Sequence, residues 1–162
     1  MKIILILFTL INVVLSARSI AIEERIVEIA KSKNIIYIDG CKHNISEACY
    51  VMGVLYSYGT HGVKKNPQKA EKYFLKTCKE KNVDGCRMLG DHYSAGILLK
   101  YNIEKAKKYW KKSCELGSGG SCFNLATTLR DEGNIKKAKY YYGKGCDLGF
   151  SFSCEYYKEL SK

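Results

Sequence analysis

The sequence predicts an all-α solenoid of stacked helix pairs with one disulfide per pair, and three observations predict it. Eight cysteines form four pairs, Cys41 with Cys49, Cys78 with Cys86, Cys114 with Cys122 and Cys146 with Cys154, with seven residues between the members of each. The pairs recur after 37, 36 and 32 residues, the period of a helix-pair repeat. An alanine stands eight residues before the first cysteine of the last three pairs, inside Lys69-Ala70-Glu71-Lys72-Tyr73-Phe74, Lys105-Ala106-Lys107-Lys108-Tyr109-Trp110 and Lys137-Ala138-Lys139-Tyr140-Tyr141-Tyr142.

The elements follow in order. Residues 1–16 read as a signal peptide: Met1-Lys2 precedes an apolar run from Ile3 to Leu15, and Leu15-Ser16-Ala17 offers cleavage after Ser16. That run has 13 residues, too short for a bilayer core that needs roughly 20, so no stable membrane span is expected. The first cysteine is Cys41, which gives no site for a lipid near the cleavage point. Residues 17–40 form an atypical N-terminal helix, about 22–33, and a connector in which Ile35-Ile36-Tyr37-Ile38 reads as a strand or extended segment, because β-branched and aromatic residues favour it. Residues 41–162 hold the repeats.

Asn66 as N-cap and Pro67 at the first helical position open a helix over about 67–80. Ala70, Tyr73, Phe74 and Cys78 give it one apolar stripe, and Cys86, Leu89, Gly90 and Tyr93 give another to a partner at about 84–94. Asn102 and Asn134 open the equivalent helices near 103–116 and 135–147, with partners near 120–130 and 152–160. A small residue returns four positions after the second cysteine, Gly53, Gly90 and Ala126, where it lets neighbouring backbones approach. Lys158 replaces it in the last repeat and marks a terminal cap.

Each cysteine pair spans the turn between two helices, so the repeated spacing favours pairing within each repeat and an oxidising compartment, secreted or periplasmic. Closing so short a loop stabilises by roughly 2.5–3 kcal/mol in the loop-entropy model. Zinc pairs sit two to four residues apart, and His43, His61 and His92 are scattered, so neither a metal nor another cofactor is called for. The formal charge of +11 is carried mostly by lysines, concentrated at Lys105, Lys107, Lys108, Lys111 and Lys112. On amphipathic helices these form a solvated basic face, able to meet anionic cell-wall polymer, membrane headgroups or acidic partners. No finger, helix-turn-helix or RNA-binding signature is present, so nucleic acid is not an expected partner.

The Ala-to-Cys spacing, the cysteine pairs and segments such as Gly120-Ser121-Cys122-Phe123-Asn124-Leu125-Ala126 resemble Sel1-like repeats, which are similar to tetratricopeptide repeats with longer loops. More narrowly, the disulfide-bearing form after a signal peptide is similar to the Helicobacter cysteine-rich protein family over residues 41–162. The resemblance implies a right-handed superhelix of antiparallel helix pairs with one bridge per repeat. It also implies a candidate activity, weak β-lactamase or penicillin binding, in the secreted or periplasmic space. Arg130-Asp131-Glu132-Gly133-Asn134 departs from the family pattern, being shorter than Tyr58-Gly59-Thr60-His61-Gly62-Val63, which puts a ligand contact from that loop in doubt.

Three kinds of function compete. A serine β-lactamase needs an activated hydroxyl, normally Ser-x-x-Lys, and no such motif occurs; eight oxidised cysteines offer no thiolate. Catalytic residues are therefore unassigned. A binding module needs polar and aromatic side chains from successive repeats, and Asn124, Arg87, Lys108 and Tyr141 are the candidates: an amide donates and accepts, and a guanidinium grips a carboxylate twice. Tyr73 and Tyr109, which recur at one repeat position, read as packing. The expected partners are a β-lactam, a peptidoglycan-derived peptide or a protein, bound by a monomer. A structural or host-interacting surface needs no groove at all.

Overall fold

The computed structural model describes residues 35–96 and 98–162. The signal segment 1–16 and the helix expected at 22–33 lie outside the described residues. All regular structure among the described residues is helical: α1 over residues 35–42, then α2 Ser46–Tyr58, α3 Pro67–Lys79, α4 Val83–Ala95, α5 Ile103–Glu115, α6 Gly119–Asp131, α7 Ile135–Asp147 and α8 Ser151–Glu159. Disulfides join Cys41 to Cys49, Cys78 to Cys86, Cys114 to Cys122 and Cys146 to Cys154, each across the turn from an odd-numbered helix to the next even-numbered one. Of the even-numbered helices, α2, α4 and α6 each pack broadly on the odd-numbered helix that follows, and the buried residues form a central cluster with a smaller one at each end of the stack.

One expectation fails. Ile35 to Ile38 are helical, not a strand or extended segment. Propensity is overridden by tertiary context: Tyr37 packs with Tyr73 against Cys41, Ala48 and Cys49, and the Cys41–Cys49 bridge fixes the end of α1 against the start of α2. The N-caps behave as the sequence predicts. The Oδ1 atoms of Asn66, Asn102 and Asn134 accept from the amides of Lys69, Lys105 and Lys137 at 2.9, 2.9 and 3.3 Å. Asn82 and Ser118 do the same for α4 and α6, accepting from Gly85 and Ser121 at 2.8 and 3.2 Å. In all four bridged turns the residue three after the first cysteine is left-handed: Asn44, Lys81, Gly117 and Gly149. Glycine and asparagine suit that conformation, and Lys81 adopts it against steric preference.

The helices meet through two kinds of close contact. Within a bridged pair, the residues preceding the two cysteines face each other: Gly40 with Ala48, Thr77 with Gly85, Ser113 with Ser121 and Gly145 with Ser153. A Cβ on Gly85 would stand 2.0 Å from the Thr77 hydroxyl, so one partner must stay small. Between pairs, the small residue four after the second cysteine makes room for an aromatic ring from the next odd-numbered helix, not for a backbone. A Cβ on Gly53 would lie 2.6 Å from the Phe74 ring, and one on Gly90 would lie 2.4 Å from the Trp110 ring. Ala126 packs with the buried Tyr142 in the same way.

Some lysines also stitch the stack. Lys76 Nζ donates to the Cys41 carbonyl at 2.8 Å, and one repeat later Lys112 Nζ donates to the Cys78 carbonyl at 2.6 Å. These carbonyls lie near helix C-termini, where a cation is favoured. At the far end Lys158 is exposed on α8, while Tyr156 stacks on Tyr142 at 5.2 Å and closes the core.

Candidate functional site

The even-numbered helices carry a polar cluster built around Asp91, on α4. Gly90 lies against Trp110 of α5, and this brings the neighbouring Asp91 carboxylate to the indole: Trp110 Nε1 donates to Asp91 Oδ1 at 2.8 Å. Asn124 Nδ2, one repeat on in α6, donates to the same oxygen at 3.4 Å. Arg87, one turn before Asp91, donates through Nη1 to Asp91 Oδ2 at 3.2 Å and through Nη2 to Asp84 Oδ1 at 3.0 Å. Burial works against the charge of the Arg87 guanidinium, and the two aspartates outweigh it and hold its pKa above the ordinary value. Asp91 thus gathers Arg87 and Asn124 into one constellation, each already partnered.

Two openings flank the carboxylate. One, of ≈ 300 Å³, is lined by Asp91, Ser94, Trp110, Phe123, Asn124, Thr127 and Thr128. Its hydroxyls are largely committed: Thr128 Oγ1 donates to the Asn124 carbonyl at 3.0 Å, Ser94 Oγ to the Asp91 carbonyl at 3.0 Å, and Thr127 pairs with the Tyr142 hydroxyl at 3.0 Å. The other, of ≈ 450 Å³, is bounded by Ser57, Lys65, Arg87, Met88, Asp91, His92 and Leu98 among others. Here Ser57 Oγ lies 3.4 Å from His92 Nε2, the nearest approach to a nucleophile and base. Ser57 is 3% exposed and donates to the Gly53 carbonyl at 2.9 Å, and no carboxylate holds the other ring nitrogen among the described contacts, so the pair lacks the access and orientation that acyl transfer requires. Burial, opposed by Asp91 and aided by Lys65, lowers the His92 pKa below the ordinary value.

The other two sequence candidates lie elsewhere. Lys108 is exposed on α5 and borders a ≈ 550 Å³ groove with Leu75, Lys79, Tyr109, Lys111, Lys112 and Glu115, formed by odd-numbered helices. Tyr141 is half-buried, packed against the core and edge-on to Tyr140 at 5.0 Å. Tyr73 stacks on Tyr56 and Tyr109 on Tyr93, with centroids 5.7 and 5.9 Å apart, so both serve packing between repeats. His43 bonds the Asp39 carbonyl at 3.0 Å, and no group of three His, Cys, Asp or Glu side chains able to hold a metal occurs among the described residues. No helix among them is long and apolar enough to cross a membrane.

Asp91 escaped the sequence reading, although a signal existed. Five residues after the second cysteine the other repeats carry Val54, Thr127 and, in the terminal one, Glu159, so among the three repeats that have a following neighbour Asp91 is the one carboxylate. Only the indole donor opposite, which sequence spacing does not reveal, explains it.

Comparison with known proteins adds three findings. A family model described as Sel1 repeat matches residues 46–82, 83–118 and 121–150. No curated protein sequence matches the chain. Among solved structures, a Sel1 repeat protein from Oxalobacter formigenes aligns with TM-score 0.70 and 21% identity over 80% of this chain and 54% of its own. A protective antigen of uropathogenic Escherichia coli strains, displaying an SLR fold, aligns with TM-score 0.68 and 23% identity over 78% of this chain and 28% of its own. The chain therefore spans about half and about a quarter of these two. Helicobacter pylori cysteine rich protein B aligns with TM-score 0.61 and 28% identity over 80% of this chain and 96% of its own. Each matched unit joins an even-numbered helix to the odd-numbered helix after it, so the central bridges, Cys78–Cys86 and Cys114–Cys122, connect one unit to the next.

Proposed function

Because the chain belongs to the Sel1 repeat family, we propose that it is a protein-interaction solenoid, working outside the cytoplasm, that holds an extended polypeptide along its even-numbered helices. The observation that carries the reading is the Asp91 cluster: α4 and α6 place a carboxylate and an amide beside the apolar rings of Trp110 and Phe123, with the Arg87 guanidinium on the other carboxylate oxygen. Side chains from separate repeats of a solenoid read successive residues of a bound segment, and an amide that donates and accepts suits a peptide main chain. Four disulfides support an oxidising compartment, secreted or periplasmic, and the signal peptide expected from the sequence over residues 1–16 fits that route.

A second reading, weak β-lactam binding or hydrolysis, comes from the likeness to the Helicobacter cysteine-rich proteins. Penicillins mimic the D-Ala-D-Ala end of a peptide stem, so a groove for peptides has a route to binding lactams. Turnover lacks geometric support, because the hydroxyls nearest the cluster bond to backbone carbonyls or to Tyr142. The test pans a random peptide library on the oxidised protein, measures captured peptides by titration calorimetry, and follows nitrocefin on the same samples. Peptide affinity at least tenfold weaker in folded Asn124→Ala and Arg87→Ala variants, with no nitrocefin turnover, supports the interaction reading. Turnover that disappears in a folded variant makes the protein an enzyme, and no enriched peptide removes the groove from consideration.

A further inference from the structure

The two helix layers differ in charge. The odd-numbered helices α3, α5 and α7 carry thirteen lysines against four carboxylates, Glu71, Glu104, Glu115 and Asp147. The even-numbered helices α2, α4, α6 and α8 carry three cations, Arg87, Arg130 and Lys158, against six carboxylates, Glu47, Asp84, Asp91, Asp131, Glu155 and Glu159. An amphipathic solenoid needs only a polar outside, and it has no need to send its positive charge to one layer and its negative charge to the other.

The cations are also placed periodically. In α3, α5 and α7 the positions nine, six, five and two before the first cysteine lie on one stripe, at the spacing of successive helical turns. They read Lys69, Lys72, Tyr73, Lys76 in α3; Lys105, Lys108, Tyr109, Lys112 in α5; and Lys137, Tyr140, Tyr141, Lys144 in α7. The bond from Lys112 to the Cys78 carbonyl sets α5 beside α3 in register, as the bond from Lys76 to the Cys41 carbonyl sets α3 beside α1. The stripes of α3 and α5 therefore line up as rows crossing the repeats, and α7 repeats the pattern at the same positions in the sequence. Lys69 sits over the Tyr56 ring at 5.1 Å and Lys105 over the Tyr93 ring at 4.7 Å. Lys72 and Lys108 are exposed with no acidic partner among the described contacts, and Tyr140 is 63% exposed.

We infer that this face of the odd-numbered helices is a second binding surface, distinct from the Asp91 cluster, and that its partner is an acidic polysaccharide. A row of ammonium groups suits a polymer that repeats its negative charge along the chain. Tyr140, the exposed ring of the stripe, offers a flat apolar body with a polar tip, on which a sugar ring can lie while its hydroxyls bond the phenol. The stripe carries no asparagine or glutamine to hold a peptide main chain, which disfavours an acidic peptide. Binding of this kind is salt-sensitive, since exposed charges are screened within about 10 Å at 0.1 M ionic strength.

The test uses the oxidised full chain with heparin and alginate, the sulfated and the uronate probe, against neutral dextran, poly-glutamate and phosphatidylglycerol vesicles. Fluorescence anisotropy is read at 0.05 and 0.3 M salt. The double variant Lys72→Glu/Lys108→Glu is compared with Lys64→Glu/Lys158→Glu, which changes the net charge equally away from the stripe. Tyr140→Ala tests the rings. The expected result is binding to an acidic polysaccharide that weakens at least tenfold in the stripe variant and less than twofold in the control. Tyr140→Ala is expected to lose severalfold for the polysaccharide and nothing for poly-glutamate. Equal losses in the two charge variants, tighter binding of poly-glutamate or of vesicles than of either acidic polysaccharide, or no binding by the folded protein would each overturn the inference. Peptide capture at the Asp91 cluster is unaffected by these substitutions, so the two surfaces stand or fall separately.

Discussion

Substituting Gly90 by alanine tests how the repeats are locked together. In an ordinary helix interior the change stabilises by about 1 kcal/mol, because alanine loses less backbone entropy. At Gly90 the new methyl would stand 2.4 Å from Trp110 Cδ1 and 2.6 Å from Nε1, distances that real Cβ atoms do not adopt. The indole is buried and must move, which costs about 1–3 kcal/mol as overpacking. Its 2.8 Å bond to Asp91 is lost in the process, at about 1.5–3 kcal/mol for a bond to a charged group. The net expectation is a destabilisation of about 1.5–5 kcal/mol, the two costs less the helical gain. Gly120→Ala is the internal control: its Cβ meets nothing nearer than the Phe150 ring at 3.8 Å, so it should be neutral or stabilising by up to about 1 kcal/mol. Urea unfolding of the oxidised protein reads both, with Trp110, the single tryptophan of the chain, as the fluorophore. A Gly90→Ala protein as stable as the parent, with unchanged emission, would refute the account of glycine as a socket for the neighbouring ring.

Further expectations concern the stitches between helices and one buried histidine. Replacing Cys114 and Cys122 together by serine should lower the unfolding free energy by roughly 2.5 kcal/mol, read as an earlier urea midpoint, since the bridge closes a loop of sequence separation 8. Lys112→Met removes the bond to the Cys78 carbonyl and should cost about 1 kcal/mol by the same assay. Adding Lys76→Met, which acts at a different interface, should add its own cost to within about 0.5 kcal/mol. The folded state resists protonation of His92, so as pH falls through about 6.5 the unfolded chain takes up the proton first. This contribution is therefore full above that pH and declines below it until the depressed folded pKa is reached; comparing urea midpoints at pH 7.5 and 5.5 should show a smaller fall in His92→Gln than in the parent.

The repeat architecture was legible because it rests on spacing. Cysteine pairs, asparagine caps and the alanine row are local signals that survive without knowledge of neighbours, and each helix from α3 onward begins and ends within about two residues of its expected place. Residues 35–38 were misread for the converse reason: three isoleucines and a tyrosine carry a strand preference that the Cys41–Cys49 bridge and packing against α2 override. The small pairs before the cysteines were in view, but their meaning depends on which residue faces which across a turn. The candidate site divided along the same line. Arg87 and Asn124 do come together, but through Asp91 and an indole from a third helix, while Lys108 and Tyr141 project from the other layer.

The four bridges also decide what a protease can do to this molecule. Lys79 and Lys81 are exposed in the turn between α3 and α4, which lies inside the loop closed by Cys78 and Cys86. A cut there leaves both fragments tied by sulfur, so the chain is nicked without coming apart. The connections from α2 to α3 and from α4 to α5, where Lys64, Lys65 and Lys100 are exposed, lie outside every bridge, and a single cut there divides the covalent chain in two. Among the described residues these two loops are thus where a trypsin-like cut parts the chain, whereas a cut in a bridged turn only nicks it. Under oxidising conditions the fragments that separate are whole bridged hairpins or stacks of them, whereas a reducing agent added after cleavage releases the pieces that the disulfides had concealed.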